Sequence, residues 1–423
     1  MMADARAVLD LIFRRERPQI LAVLIRLTGD FTLAEDSLQE AFADALHRWP
    51  REGVPANAAA WITLVARRRA IDVVRRARTF RQKTEILERL QAAEPVSYET
   101  PVAIENESDG IPRDDRLRLL FTCCHPALSL ESQVALTLRM VAGLSTREIA
   151  RAFLATEATM AQRLARAKDK IRSTHIPFRV PPASEIPDRL EAVLAVIYLV
   201  YNESYTSTGD NPLIREDLCD EAIRLGRLLD QLLPEQAEVE GLLALMMLHA
   251  ARRHSRVSEQ GELITLEKQD RSKWDRPMIE EGCALVERAL KRRQVGPYQL
   301  QAAIAALHAE APSPERTDWP QIAALYALLL RLQPSPVIEL NRAVAIGMAA
   351  GPAAGLALID GIDARGVLRG YHLLAAARAE LLVRNGEPQR AVQSYEQAIL
   401  ESSNPAERSY LSRRLADVKT AAQ

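Results

Sequence analysis

Between Leu38 and Trp49 the large apolar residues fall at Leu38, Ala41, Phe42, Ala45, Leu46 and Trp49. Steps of three and four gather them on one stripe of an α-helix, whereas a strand would scatter them over both faces. The same period recurs along the chain. Ala, Leu and Arg dominate, β-branched runs are scarce and aromatics are only 5%, a composition that favours packed helices over sheets. The prediction is an all-α protein, and 423 residues at 48% hydrophobic suffice for two or three domains. No run approaches the roughly 18 to 20 uncharged apolar residues of a membrane span, and Met1 to Asp10 lacks the basic start of a signal peptide. A cytoplasmic chain with no membrane role is expected. Cys123, Cys124, Cys219 and Cys283 do not form the spaced framework of a disulfide scaffold, so reduced thiols are expected.

A net charge of −1 hides a strong segregation. Residues 1–46 carry net −3, 47–83 net +8, 84–112 net −6, 113–176 net +5 and 177–423 net −5. Two basic blocks flanking an acidic linker suggest two DNA-facing modules on one chain.

The first block reads as helices. Ile20, Val23, Leu24 and Leu27 share a face after Pro18, and Thr28-Gly29-Asp30 closes that helix. Thr32 with Glu35 three residues on predicts a capping box for the next, whose polar face carries Glu35, Asp36, Gln39, Glu40 and Asp44. Trp49 to Ala56 reads as a loop, and Asn57 as the N-cap of a basic helix running through Trp61, Leu64, Val65, Ile71 and Val74. Arg67, Arg68, Arg69, Arg75, Arg76 and Arg78 crowd that helix, a density that calls for an anionic partner. After the linker Thr84 to Pro112 comes a helix-turn-helix pattern. Gly143-Leu144 ends one helix, Ser145 or Thr146 caps a short one through Phe153, and a turn leads to Thr159–Ile171, with Met160, Leu164, Ala167 and Ile171 inward. From 177 the chain is Ala/Leu-rich and helical. Gly386-Glu387-Pro388 followed by Ala391, Tyr395 and Ala398, with Gly351-Pro352 lying 35 residues earlier, predicts tetratricopeptide-like helical hairpins over about 300–420.

Three motifs in this order carry a resemblance. Ala34-Glu35-Asp36-Ser37-Leu38-Gln39-Glu40-Ala41-Phe42, then Ala60-Trp61-Ile62 through Ala70-Ile71-Asp72-Val73-Val74-Arg75-Arg76, then Gly143-Leu144-Ser145-Thr146-Arg147-Glu148-Ile149-Ala150 resemble regions 2 and 4 of RNA polymerase sigma-70 factors of the extracytoplasmic-function type. The long extension resembles that of the subset with a C-terminal tetratricopeptide-containing domain. The resemblance implies region 2 as a helical bundle at 1–83, the linker at 84–112, region 4 at 113–176 and the extension at 177–423. It implies a factor that binds core RNA polymerase, through the largest subunit's clamp helices and the flap, directs it to promoter DNA and helps melt the duplex. By position, Asp36, Gln39 and Glu40 would dock on the clamp helices. Trp49, Asn57, Trp61, Arg67, Arg68, Arg75 and Arg76 would hold the minus-ten element, with stacking on unpaired bases contributing roughly 1 to 3 kcal/mol each, although Trp61 reads equally well as core. Thr159, Gln162 and Arg163 would reach base edges of the minus-thirty-five element, and Arg147, Arg166 and Lys168 its phosphates. Arg68 stands where the family often has Asn, Leu154 where it has a turn Gly, and Ala161 where Lys is frequent.

Cys123-Cys124-His125 lacks the C-x-x-C spacing that lets two sulfurs converge on zinc, and reads as a helix end stopped by Pro126. Tyr198, Tyr201 and Tyr205 read as a core stripe. With no Ser/His/Asp set, Walker loop or paired-carboxylate motif, no enzyme, metal or cofactor is expected. The alternative is a helix-turn-helix regulator with a tetratricopeptide sensor that acts on duplex DNA without polymerase. The extension, at net −5 facing +8 and +5, is expected to regulate the sigma blocks in cis or to receive a protein partner or signal.

Overall fold

The structure, a computed structural model, describes residues 6, 8, 9, 11–13, 16–91, 115–153, 155–205, 212–256, 258 and 263–421. The described residues form helices and connecting turns with no β-strand, as the composition predicts. They divide into two compact units, Met1–Val200 and Tyr201–Gln423.

In the first unit α1 (Arg17–Thr28) carries Pro18 in its first turn and ends at Gly29, whose φ of 67° is the left-handed conformation that terminates helices. Ile20 and Leu24 are buried with Leu21 and Ile25, whereas Leu27 is exposed, so the buried stripe is rotated from the one read off the sequence. The second helix, α2 (Phe31–Glu52), corrects the expected capping box. Asp30, in extended backbone, accepts hydrogen bonds from the Thr32 and Leu33 amides at 2.8 and 3.1 Å and is the N-cap itself. That places Glu35 beyond the first turn and releases it for another role. The helix also continues through Pro50 before Gly53 stops it, so Trp49 to Glu52 is helix rather than loop. Leu38, Ala41, Ala45 and Trp49 form its buried stripe, while Leu46 is exposed.

Asn57 caps α3 (Ala58–Gln91), its side-chain oxygen accepting from the Ala60 amide at 3.0 Å. At 34 residues this helix is about 51 Å long. It enters the stretch read as linker, whose remainder lies outside the described residues. The small residues Ala66 and Ala70, with Ile62, are buried where α3 packs on α2.

The helix-turn-helix is built by α4 (Asp115–Cys123), α5 (Leu130–Met140), α6 (Thr146–Ala152) and α7 (Glu157–Ser173). Gly143 takes φ 79°. Ser145 and Glu148 form a reciprocal capping box, the Glu148 amide donating to Ser145 Oγ at 3.2 Å and the Ser145 amide to Glu148 Oε2 at 2.7 Å. Thr156 caps α7 at the Thr159 amide, and Met160, Leu164, Ala167 and Ile171 are its buried residues, as the spacing predicts. Leu154, the residue in place of the turn glycine, lies outside the described residues. The next helix, α8 (Ile186–Tyr205), carries the chain across the division after Val200.

The second unit runs from α9 (Pro212–Leu232) and α10 (Ala237–Ala250) through α11 (Arg276–Lys291), α12 (Pro297–Glu310), α13 (Trp319–Leu332), α14 (Pro336–Ala350), α15 (Pro352–Ala364), α16 (His372–Arg384), α17 (Pro388–Glu401) and α18 (Pro405–Ala421). Almost every residue of α10 is buried, Glu240 among them at 1% exposure. Its carboxylate is held by Arg288 Nε at 2.8 Å and by Arg292 at 2.7 and 2.9 Å. The starts of α14 and α15 recur after 36 residues at α16 and α17, and neighbouring helices of this series pack on one another. Ala391, Tyr395 and Ala398 are fully buried. Tyr395 donates to Glu380 at 2.6 Å, and Arg414 donates to the same carboxylate at 2.9 and 3.0 Å, which ties α16, α17 and α18 together.

Candidate polymerase and nucleic-acid interface

The solvent side of α2 presents Asp36, Gln39 and Glu40, all exposed. Glu40 also binds Arg69 of α3, which reaches Asp44 at 2.6 Å. Arg69, one arginine among many in the sequence, is therefore a cross-helix pin, its guanidinium held in the charged form by both carboxylates.

The expected minus-ten residues separate into two groups. Arg67, Arg68, Arg75 and Arg76 are exposed on α3, and among them Ile71, Val73 and Val74 are 39–45% exposed. Apolar side chains are thus left in water between arginines. Trp49, by contrast, is 2% exposed and edge-on to Trp61 with ring centroids 5.5 Å apart. This corrects its placement at a base pocket, because the end of α2 stays helical and points the indole into the core. Trp61 is half-buried. Asn57 is exposed, but its side-chain oxygen is occupied by the α3 cap.

On α7, Thr159, Gln162 and Arg166 are exposed on the side opposite the buried stripe, and Arg147 is exposed on α6. Arg163 pairs with Glu131 at 2.9 Å. Lys168 is displaced from its expected role: its ammonium lies 2.5 Å from Glu35 Oε2 and is 19% exposed, because its position flanks the buried side of α7 rather than the reading side.

That contact belongs to a cluster the sequence did not announce as a unit. The Glu35 side chain, 5% exposed, receives Arg17 Nη2 at 3.2 Å, Arg139 Nε at 2.9 Å and Lys168 Nζ. Arg17 also donates to the Arg139 carbonyl at 2.7 Å. Burial opposes ionisation of Glu35, yet Arg139, Lys168 and Arg17 outweigh it and hold the carboxyl below its ordinary range. Burial, with Arg139 beside it, brings the Arg17 pKa down to about 10. The sequence pattern puts Glu35 on the polar face of α2, whereas the structure buries the residue at 4% exposure, where a carboxylate needs partners. A second tie joins Arg26 of α1 to Asp115 of α4 at 3.1 Å, and Asp115 also receives Arg118 at 3.0 Å.

Cys123 and Cys124 are fully buried at the end of α4, and burial pushes the Cys124 thiol up to about 12. Cys124 Sγ lies 3.5 Å from Thr137 Oγ1, and His125 Nδ1 accepts from the Ala127 amide at 3.1 Å. Among the described residues no group of His, Cys, Asp and Glu is arranged to hold a metal ion, and no helix is long and apolar enough to cross a membrane.

Comparison with known proteins follows the same division. Residues 12–80 match the model for sigma-70 region 2, residues 118–171 that for sigma-70 region 4, and residues 189–290 a family of unknown function. An uncharacterized protein of Rhizobium meliloti is 44% identical over 96% of this chain and 95% of its own length. A probable ECF RNA polymerase sigma factor SigI of Mycobacterium tuberculosis is 27% identical over 40% of this chain and 57% of its own length. With regions 2 and 4 in order and a helical extension behind them, the chain belongs to the extracytoplasmic-function sigma-70 factors that carry a long C-terminal extension.

Proposed function

We propose that this sigma factor binds core RNA polymerase through Asp36, Gln39 and Glu40, and that it directs the enzyme to promoters with two recognition elements. The observation that carries this reading is the pair of exposed faces: arginines interleaved with Ile71, Val73 and Val74 on α3, and Thr159, Gln162 and Arg166 on α7. The α3 face suits unpaired, charged single strand, because its cations follow phosphates and arginine guanidinium planes can stack on bases. The α7 face suits a duplex in the major groove, with Thr159 and Gln162 toward base edges and Arg147 and Arg166 on the backbone. Residues 1–83 and 113–176 would thus serve as the minus-ten and minus-thirty-five modules in the cytoplasm. Residues 177–423, with hairpin-like helices from about 300, would regulate them or receive a partner. A chain of this kind needs no catalytic group of its own, since the polymerase supplies the chemistry.

The test is a binding measurement between the full chain and core polymerase, run with and without DNA. Binding in the absence of DNA supports the sigma reading. Tight binding to duplex DNA with no affinity for core polymerase would favour a helix-turn-helix regulator instead.

A further inference from the structure

Within the second unit lies a cavity of about 550 Å³, lined by the alternate helices α14, α16 and α18, by Trp319 at the start of α13 and by the 3-10 turn Leu266–Lys268. Sites for small molecules run from about 300 to 1,000 Å³. Packed helices ordinarily fill the space between them with side chains. Here α16 contributes Ala376 and Ala377 to the lining, and their methyl groups leave the space open. The walls are fixed by contacts outside it. A Cβ on Gly355 of α15 would stand 2.8 Å from the Gly347 Cα of α14, so these two helices close on each other through glycines. Tyr395 and Arg414 both hold Glu380, which sets α16 against α17 and α18.

The lining is chemically lopsided. Leu340, Val344 and Met348 recur at every fourth residue of α14, and Asn341 is the one polar side chain that α14 adds to them. The charged groups of the lining are Glu267, Lys268, Glu380, Arg384 and Arg414. Arg384 is engaged by Glu267 at 2.7 and 2.8 Å, and Arg414 by Glu380 at 2.9 and 3.0 Å. Lys268 is exposed and has no carboxylate partner among the described residues. Three cations against two carboxylates leave one positive charge in excess.

We propose that this cavity binds an amphipathic monocarboxylate, with its apolar body against α14 and α16 and its acid group at Lys268. One negative charge matches the excess; a second, as on a phosphate monoester, would go unmatched. A polypeptide would bring an amide at every residue, each needing a hydrogen-bond partner. Against that demand α14 supplies only Asn341, so an acyl or aryl body fits the lining better. The proposal deepens the reading of residues 177–423 as the part of the chain that receives a signal and rests on it. Its test needs neither polymerase nor promoter DNA, so failure at this cavity and failure of the sigma reading are told apart.

The experiment titrates the full chain by isothermal calorimetry with decanoate and with 2-naphthoate, using decylammonium and acetate as controls. Tryptophan emission is followed in parallel in the wild type and in Trp319→Phe. A carboxylate with an apolar body should bind saturably at one site per chain, about tenfold or more tightly than decylammonium. Acetate, which has no such body, should not saturate, and the emission change should vanish in Trp319→Phe. Lys268→Glu should reverse the preference between decanoate and decylammonium, because the lining then carries one negative charge in excess. Ala377→Phe, which fills the cavity, should weaken carboxylate binding about tenfold at unchanged helical circular dichroism. If Ala377→Phe does not fold, the exposed Lys268→Glu decides alone. Equal affinity for decanoate and decylammonium, carboxylate binding unaltered in the folded variants, or no saturable binding of either carboxylate would overturn the proposal. Capture of hexapeptides with free C-termini in place of the carboxylates would also overturn it, in favour of a protein partner.

Discussion

Replacing Arg75 and Arg76 together by Ala should change how promoter binding responds to salt by a calculable amount. Both side chains are exposed on α3, next to Ile71, Val73 and Val74. If each neutralises one phosphate, the slope of log affinity against log salt should become shallower by about 1.4 for single-stranded contacts, or about 1.8 for duplex contacts. Between 50 and 200 mM salt the wild type should then lose about 7- to 12-fold more affinity than the double variant. Arg69 supplies the internal control. It stands in the same run of arginines, but its guanidinium is engaged by Glu40 and Asp44, so Arg69→Ala should leave the slope unaltered. The assay is fluorescence anisotropy of labelled minus-ten fork DNA with polymerase and sigma factor, over a salt series. An unchanged slope in the Arg75/Arg76 variant, or an equal change in Arg69→Ala, would refute the assignment of the α3 face.

Other outcomes follow from the same contacts. Asp36→Arg with Gln39→Ala should weaken core-polymerase binding at unchanged circular dichroism, because both residues lie off the buried stripe; native affinity in pull-down titration would contradict this. Arg166→Ala should weaken all promoter variants alike, whereas Gln162→Ala should lose about 1 to 3 kcal/mol of discrimination at one base position, read on a panel of minus-thirty-five variants. Glu240→Ala should destabilise the second unit by about 1 to 2 kcal/mol, since it removes the shared acceptor while Arg288 and Arg292, 49% and 23% exposed, can be rehydrated, and denaturant titration measures it. Burial, with Arg252 and Arg271, brings the His308 pKa from 6.5 to about 4. The unfolded chain therefore binds the extra proton first, and the thermal midpoint should fall as pH drops from 6.5 towards 4.

The helices were legible wherever a local rule decides them. Asn57 and Ser145 cap their helices because a short polar side chain next to an apolar stripe has one geometry that satisfies the first-turn amides, whereas Thr156, the cap of α7, reads in the sequence only as part of a turn. The buried residues of α7 followed from spacing alone. The site was legible less evenly, because two residues of one type differ only in what another part of the chain brings to them. Arg68 and Arg69 are adjacent and identical in chemistry, yet only Arg69 meets Glu40 and Asp44 from α2. Lys168 looks like a phosphate contact until Glu35, 133 positions away, is placed beside it. Thr32 and Glu35 satisfied the pattern of a capping box, but Asp30 won the first-turn amides and Glu35 became the centre of a tertiary cluster. Trp49 was misplaced for a related reason, since Pro50 suggested a helix end that in fact lies at Gly53.

Promoter opening by core RNA polymerase should depend on this chain. Permanganate probing of unpaired thymines tests it most directly, on a promoter selected by the chain from a random library, with core polymerase in the presence and absence of the full-length protein. Reactive thymines are expected around the minus-ten element only when both proteins are present, with their loss in the Arg75/Arg76 double variant. A duplex that stays unreactive with both proteins bound, or that melts equally with core polymerase alone, would contradict it.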